Sequence, residues 1–179
     1  MESMIAHNRK FVESEAYKAF ATSKFPDKKI AIVTCMDTRL VTMLPAALGL
    51  RNGDVKMIKN AGGLITDPYG DSMRSVLVAV YELGVDTVMI IAHTNCGVEG
   101  MKGSHFIHIM EERGIPHETI EKIKAESYDL ETWLSGFCDT EEAVRESVDL
   151  VRTHPLLPEG VKVYGFVIDT VTGKLNQIK

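Results

Sequence analysis

The chain has 179 residues, of which 45% are hydrophobic and 25% charged, as in one ordinary globular domain. A formal net charge of −5 and the lack of a basic stripe argue against a nucleic-acid-binding protein. No apolar run approaches the roughly 18 residues of a membrane span, and the N-terminus is too polar for a signal peptide. We therefore expect a single domain, residues 1–179, in the cytoplasm and without nucleic-acid or membrane partners.

The sequence pattern in the first half of the chain predicts alternating helices and strands. Residues 3–21 have the apolar spacing of one amphipathic helix. Three short apolar runs have the character of buried parallel strands, at 29–34, 55–59 and 87–92. Before the last of them, Asp71 or Ser72 is expected to cap a helix that stops at Gly84.

The second half continues with helices and closes with two strands. Residues 104–134 look helical with a break at 114–116, and Asp139 is expected to cap a helix to about residue 152. Residues 162–169 form a fourth strand, and 174–178 return antiparallel at the edge. The prediction is an α/β fold: a mostly parallel central sheet of about four strands with an antiparallel edge strand, flanked by helices.

Polar residues follow three of the predicted strands directly. Cys35 follows the first strand, Asn60 the second and His93 the third. Because the carboxyl ends of parallel strands share one edge of a sheet, and because sites form at that edge, these residues are expected to converge there.

Two thiols and an imidazole are available at this edge. Cys35, His93 and Cys96 suit zinc in tetrahedral geometry, and three protein ligands leave a fourth position open for catalysis. A zinc ion there could supply hydroxide at neutral pH. The alternative is that the cysteines are small buried hydrophobes and the histidine a turn residue. With three cysteines in the chain a disulfide framework is a poor explanation, and we interpret Cys138 as structural.

A carboxylate and a guanidinium stand two and four residues after Cys35. Asp37 could occupy the fourth zinc position or accept a hydrogen bond from the bound hydroxide, and Arg39 could hold that carboxylate in a bidentate pair. An ordinary surface ion pair is the alternative for these two residues.

Three sequence blocks together resemble the β-class carbonic anhydrases, in their compact bacterial and archaeal branch. They are Cys-Met-Asp-Thr-Arg at 35–39, Asn-Ala-Gly-Gly at 60–63 and His-Thr-Asn-Cys-Gly at 93–97, in the family's order and strand contexts. The resemblance implies one zinc ion per chain and reversible hydration of carbon dioxide to bicarbonate and a proton by zinc-bound hydroxide.

The same resemblance implies roles for further residues. Asp37 either ligates the zinc or pairs with Arg39, which makes the pair a gate on the fourth position. Asn60, Gly62 and Gly63 would meet an oxygen of bicarbonate, and a homodimer or higher oligomer would form with the N-terminal helix packed on the partner.

Several alternatives stay open on the sequence. The chain could be a related zinc hydrolase acting on carbon disulfide or carbonyl sulfide, or a zinc-stabilised binding or regulatory domain without turnover. The glycine pair could be a plain tight turn. His105 and His108 could form a second metal site, although a solvated helical face is the simpler interpretation.

Overall fold

A five-stranded sheet forms the centre of the computed structural model, which describes residues 1–126 and 128–179. The strand order is β2-β1-β3-β4-β5. The strands are β1 (Ile30–Cys35), β2 (Val55–Asn60), β3 (Thr87–His93), β4 (Lys162–Ile168) and β5 (Leu175–Ile178). β1 pairs in parallel with β2 and β3, β3 with β4, and β5 runs antiparallel to β4. The predicted architecture is confirmed, and every strand boundary lies within one residue of its expected position.

Helices connect the strands. They are α1 (Glu2–Glu13), α2 (Leu40–Ala47), α3 (Asp71–Leu83), α4 (Gly103–Glu112), α5 (His117–Ala125), α6 (Leu130–Leu134) and α7 (Thr140–Arg152). A short 3₁₀ helix, Ala16–Phe20, follows α1. The prediction of one continuous helix over 3–21 is wrong, because Glu15 adopts a φ of 55° that a right-handed helix cannot contain.

Helix α2 was not predicted from the sequence. Its eight residues include Pro45, a residue that normally argues against a helix interior. The helix is nevertheless held by Leu40 and Leu44, both completely buried. Because α2 begins directly after Arg39, it fixes the loop that leaves β1.

The sheet is covered on both faces, as a mainly parallel sheet requires. One face packs against α3 and α7, which bury apolar side chains such as Met73, Val76, Val144 and Val148. The other face packs against α2. As predicted, the Asp139 carboxylate caps α7, accepting a hydrogen bond from the Glu142 backbone N–H at 2.8 Å.

The start of α3 differs from its prediction. Neither Asp71 nor Ser72 caps this helix, whose N-cap is Gly70 without a side-chain hydrogen bond. Ser72 instead accepts a hydrogen bond from the side chain of Asn60. The predicted stop is confirmed, since Gly84 has the left-handed φ of 71° that ends the helix.

Helices α4 to α6 pack on one another beside the sheet. They share a small apolar cluster of Ile107, Ile120, Leu130 and Leu134. The predicted interruption between α4 and α5 is present, with Gly114 at a φ of 97°. Among the described residues, none of the helices has the length and apolar character needed to cross a membrane.

Candidate metal centre

Two neighbouring strand ends bring Cys35, His93 and Cys96 together. Cys35 is the last residue of β1 and His93 the last of β3, and Cys96 lies in the loop that follows. The potential ligand atoms of these three residues all lie within 4.8 Å of one another. The three residues expose 4%, 0% and 7% of their surface, so their side chains are almost entirely buried.

The His93 ring is oriented by its own loop. Its Nδ1 atom lies 2.9 Å from the backbone carbonyl of Thr94, which can only accept a hydrogen bond, so Nδ1 carries the proton. In the neutral imidazole the Nε2 atom is then the nitrogen without a proton, which can accept a hydrogen bond or bind a metal. It is buried and has no hydrogen-bond partner among the described residues. A buried polar atom without a partner is costly, and a metal ion would satisfy it.

The two cysteine sulfurs also need a cation. Burial raises the pKa of the Cys96 thiol, and the nearby Cys35 sulfur raises it further, against the lowering effect of the Val98 backbone N–H. A bound cation would reverse this preference and keep both groups as thiolates. Two thiolates and one imidazole form a donor set that suits zinc, so the residues fit this metal.

A bidentate ion pair stands beside the cluster. Arg39 donates from Nε to Asp37 Oδ1 at 2.9 Å and from Nη2 to Asp37 Oδ2 at 2.7 Å. The Arg39 backbone N–H also donates to Asp37 Oδ1, at 2.8 Å. These hydrogen bonds hold the pKa of Asp37 well below its usual range and raise the pKa of Arg39. Asp37 is therefore ionised at every physiological pH.

The guanidinium of Arg39 reaches two further loops. Its Nη2 donates to the Asn95 carbonyl at 2.9 Å, and its Nη1 donates to the Thr170 hydroxyl at 3.3 Å. Asn95 has a φ of 54°, a conformation that asparagine tolerates better than most residues. Arg39 thus connects the loops that leave β1, β3 and β4.

The loop after β2 is organised by the side chain of Asn60. Its Oδ1 accepts the backbone N–H groups of Gly63 at 2.9 Å and Leu64 at 3.2 Å. Its Nδ2 donates to the Leu64 carbonyl at 2.6 Å and to Ser72 at 2.8 Å. These contacts use the Asn60 amide and the Gly63 N–H within the turn itself, as the tight-turn alternative requires.

Gly63 brings this turn against the metal cluster. A Cβ atom at Gly63 would lie 2.5 Å from the backbone nitrogen of Cys35, and the residue has a φ of 72°. Gly62, at a φ of 90°, would place a Cβ 3.4 Å from the ring of Phe137. Gly63 is therefore needed for close packing, whereas at Gly62 only the left-handed φ favours glycine.

Several residues of the site were missed in the sequence. Thr94, Asn95 and Thr170 lie beside the predicted ligands or at the end of β4, but a lone threonine gives no signal of such a role. Position alone could have indicated Thr170, because β4 ends at the same edge of the sheet as the other strands. Cys138 is exposed and is not a member of the metal cluster.

The histidines of α4 belong elsewhere. His105 is exposed, and the exposed His108 ring lies with Nε2 3.4 Å from the Glu112 carboxylate. Among the described residues, Cys35, His93 and Cys96 form the group that could hold a metal ion, and no such group lies on α4. The solvated helical face is the interpretation that agrees with this geometry.

Comparison with known proteins gives consistent matches. The family model described as carbonic anhydrase matches residues 30–175. A Bacillus subtilis (strain 168) protein with the provisional name carbonic anhydrase YtiB is 49% identical over 178 residues, which cover 99% of this chain and 95% of that protein. Carbon disulfide hydrolase of Acidithiobacillus thiooxidans is 29% identical, over 84% of this chain and 77% of that protein. The crystal structure of β-carbonic anhydrase isoform I from Trichomonas vaginalis superposes with a TM-score of 0.87 at 34% identity, covering 99% of this chain and 96% of that one.

Proposed function

Because this chain belongs to the β-carbonic anhydrase family, we propose that it catalyses the reversible hydration of carbon dioxide to bicarbonate and a proton, with zinc held by Cys35, His93 and Cys96. The observation that carries this proposal is the Nε2 atom of His93. It is buried, lacks a hydrogen-bond partner among the described residues and lies beside two thiols. An ionised carboxylate stands next to it.

Each ligand has a defined part in the proposed reaction. When bound, the zinc ion supplies the Lewis acidity that makes water a nucleophile near neutral pH. The Thr94 carbonyl fixes the His93 ring with Nε2 free to bind the metal, and it increases the basicity of that nitrogen. Cys35 and Cys96 would contribute two negative charges that retain the ion at this buried position.

We further propose that Asp37 and Arg39 gate the reaction. While Arg39 holds both oxygens of Asp37, the carboxylate is kept from acting as a fourth metal ligand, and water has access. Released from Arg39, Asp37 would be free to bind the metal and exclude water. The planar guanidinium suits this task because it grips both carboxylate oxygens together.

The loop at 60–63 would form the substrate side of the site. Asn60 and Gly63 shape the turn through their mutual hydrogen bond. The Gly62 N–H donates no hydrogen bond among the described residues, so we propose it as the amide that meets an oxygen of bicarbonate.

The decisive experiment combines metal analysis with stopped-flow hydration of carbon dioxide. Wild-type protein should contain one zinc per chain and turn over, whereas Cys35→Ser, His93→Ala and Cys96→Ser should lose zinc and activity. Cys138→Ser is the matched control, since that thiol is exposed and outside the cluster. Full zinc in Cys96→Ser, or zinc loss in Cys138→Ser, would contradict the ligand assignment.

The same preparations separate the alternative functions. Carbon disulfide hydrolysis is measured in parallel because the chain also resembles an enzyme of that name, though at lower identity than the carbonic anhydrase homologue. If zinc-loaded protein hydrolyses carbon disulfide but does not hydrate carbon dioxide, the chain is a carbon disulfide hydrolase and the proposed reaction is wrong. Zinc without either activity would assign a binding or regulatory domain.

Assembly and location complete the proposal. Helix α1 buries none of its residues within the chain, and Met4, Ile5 and Val12 expose about half of their surface or more. We propose that this helix packs on a second copy in a homodimer or higher oligomer. The need for two free thiols in the metal cluster favours the reducing cytoplasm.

A further inference from the structure

We propose that Thr170 is a positioning residue of this enzyme, which holds Arg39 in the orientation that keeps Asp37 paired and away from the metal. Thr170 follows β4, one strand beyond the strand ends that supply the cluster. The inference rests on the proposed gate and adds the residue that controls it.

Thr170 forms hydrogen bonds with the side chain of Arg39 and with Thr94. The guanidinium can only donate, so the Thr170 hydroxyl oxygen accepts from Arg39 Nη1, at 3.3 Å. The hydroxyl proton is then available to the Thr94 carbonyl at 3.4 Å or to the Thr94 hydroxyl oxygen at 3.3 Å. The Thr170 backbone N–H donates to the Thr94 hydroxyl at 3.1 Å, which fixes the residue to the loop behind His93.

The Asp37–Arg39 pair needs contacts with other loops to fix its position, because both residues belong to the same loop. Asp37 and Arg39 are two residues apart in one loop, so their mutual hydrogen bonds would survive if the pair moved as a unit. The orientation of the pair relative to His93 depends instead on contacts with other loops. Those contacts are the Asn95 carbonyl and the Thr170 hydroxyl.

Thr170 is the anchor whose side chain makes the contact. The Asn95 acceptor is a backbone carbonyl, which substitution does not remove. Thr170 exposes only 8% of its surface, so its hydroxyl is the buried contact of an Arg39 side chain that is otherwise 43% exposed. Removal of this hydroxyl takes away the acceptor of Arg39 Nη1 and leaves the Asn95 carbonyl as the long-range contact that holds the guanidinium.

The consequence is a shift in competition at the metal. With Arg39 less constrained, Asp37 would act more often as a fourth ligand and exclude other ligands. Because this effect concerns occupancy of one position, an exogenous anion that binds there should report it without any turnover.

The test uses cobalt-substituted protein titrated with thiocyanate and followed by visible absorption. Thr170→Val should retain cobalt but bind thiocyanate about ten-fold more weakly, the effect expected from one hydrogen bond to a charged group. Thr170→Ser, which keeps the hydroxyl, should restore wild-type affinity. Thr153→Val is the matched control, because the Thr153 hydroxyl bonds only locally to the Asp149 carbonyl at the end of α7.

A double variant distinguishes positioning from general disturbance. In an Asp37→Ala background the competing carboxylate is gone, so adding Thr170→Val should leave thiocyanate affinity unchanged. An unchanged affinity in Thr170→Val alone, or a loss that persists without Asp37, would overturn the inference. If Thr170→Val takes up no cobalt, Thr170→Ala is substituted, and failure of both to hold the metal would assign Thr170 to folding and also overturn it.

Carbon dioxide hydration by the wild type tests the underlying function separately. A wild type without turnover that still shows this thiocyanate pattern would refute the proposed reaction and leave the positioning role standing. Turnover in the wild type with equal thiocyanate affinity in all Thr170 variants would refute the positioning role alone.

Discussion

The Oδ2 atom of Asp37 lies 3.9 Å from the Nε2 atom of His93, which is buried and has no hydrogen-bond partner among the described residues. The same oxygen accepts a hydrogen bond from Arg39 at 2.7 Å. One carboxylate oxygen therefore stands between a guanidinium and the histidine of the metal cluster.

Arg39→Lys should remove most of the hydration activity while zinc is retained. Lysine preserves the charge but loses the planar fork that holds both oxygens of Asp37, so the carboxylate is freed toward the metal. We expect turnover to fall at least about ten-fold, since hydrogen bonds between charged groups are lost. Stopped-flow rates are compared at equal zinc content. Arg74→Lys, in an exposed pair with Asp71, should change nothing, and near-wild-type turnover in Arg39→Lys would exclude the gate.

Gly63→Ala should be much more destabilising than Gly84→Ala. The two glycines have nearly equal φ angles, 72° and 71°, so both substitutions carry the left-handed strain of roughly 1–2 kcal/mol. A Cβ at Gly84 meets nothing within 4 Å, whereas at Gly63 it would lie 2.5 Å from the Cys35 backbone nitrogen. This overpacking should add roughly 1–3 kcal/mol.

Urea unfolding and zinc content measure the difference between these glycine variants. Gly63→Ala should also lower zinc retention, because the displaced backbone belongs to a metal ligand. Equal unfolding midpoints for the two variants would show that the loop at Gly63 can shift away from the Cys35 backbone without lowering the free energy of unfolding.

Asp169→Asn should destabilise the β4–β5 turn at neutral pH. The Asp169 carboxylate accepts the backbone N–H groups of Thr172 at 2.7 Å and Val171 at 3.0 Å, and these hydrogen bonds lower the pKa of Asp169. Because the folded pKa lies below the unfolded value of about 3.9, the stabilisation is complete above that value and fades as the pH falls through it.

The difference in urea midpoint between wild type and Asp169→Asn should accordingly be largest near pH 7, persist to about pH 4 and shrink only as the pH falls further toward the lowered pKa of Asp169. Asp71→Asn serves as the comparison. The Asp71 side chain is 93% exposed, and its surface ion pair with Arg74 contributes little to stability. If the difference in urea midpoint between wild type and Asp169→Asn grew as the pH fell, Asp169 would not have the lowered pKa that its hydrogen bonds imply.

Removal of residues 1–20 should shift the protein toward the monomer. Helix α1 has no residue that is buried within its own chain, so its apolar side chains stay exposed to water in the monomer. Sedimentation at micromolar concentration measures the change, and Ile5→Asp should act in the same direction as the deletion. Lys10→Ser, on the opposite face of the same helix from Ile5, should leave the oligomer intact. A full-length protein that sediments as a monomer would refute the proposed assembly.

The sequence by itself determined the sheet and the convergence of its strand ends. Apolar runs bounded by polar residues are local signals, and parallel strands place their carboxyl ends together, so Cys35, Asn60 and His93 could be assigned to one edge. The cap at Asp139 and the stop at Gly84 were also predictable, because each depends on a few adjacent residues.

Only the tertiary structure decided how the polar groups are shared at that edge. Arg39 and Thr170 are 131 residues apart, and no periodicity relates them. The sequence likewise could not tell that the Asn60 amide would be used within its own turn, or that Thr94 would fix the His93 ring. Residue spacing encodes which face of an element is apolar, whereas a hydrogen bond between distant loops depends on where the folded backbone brings each donor and acceptor.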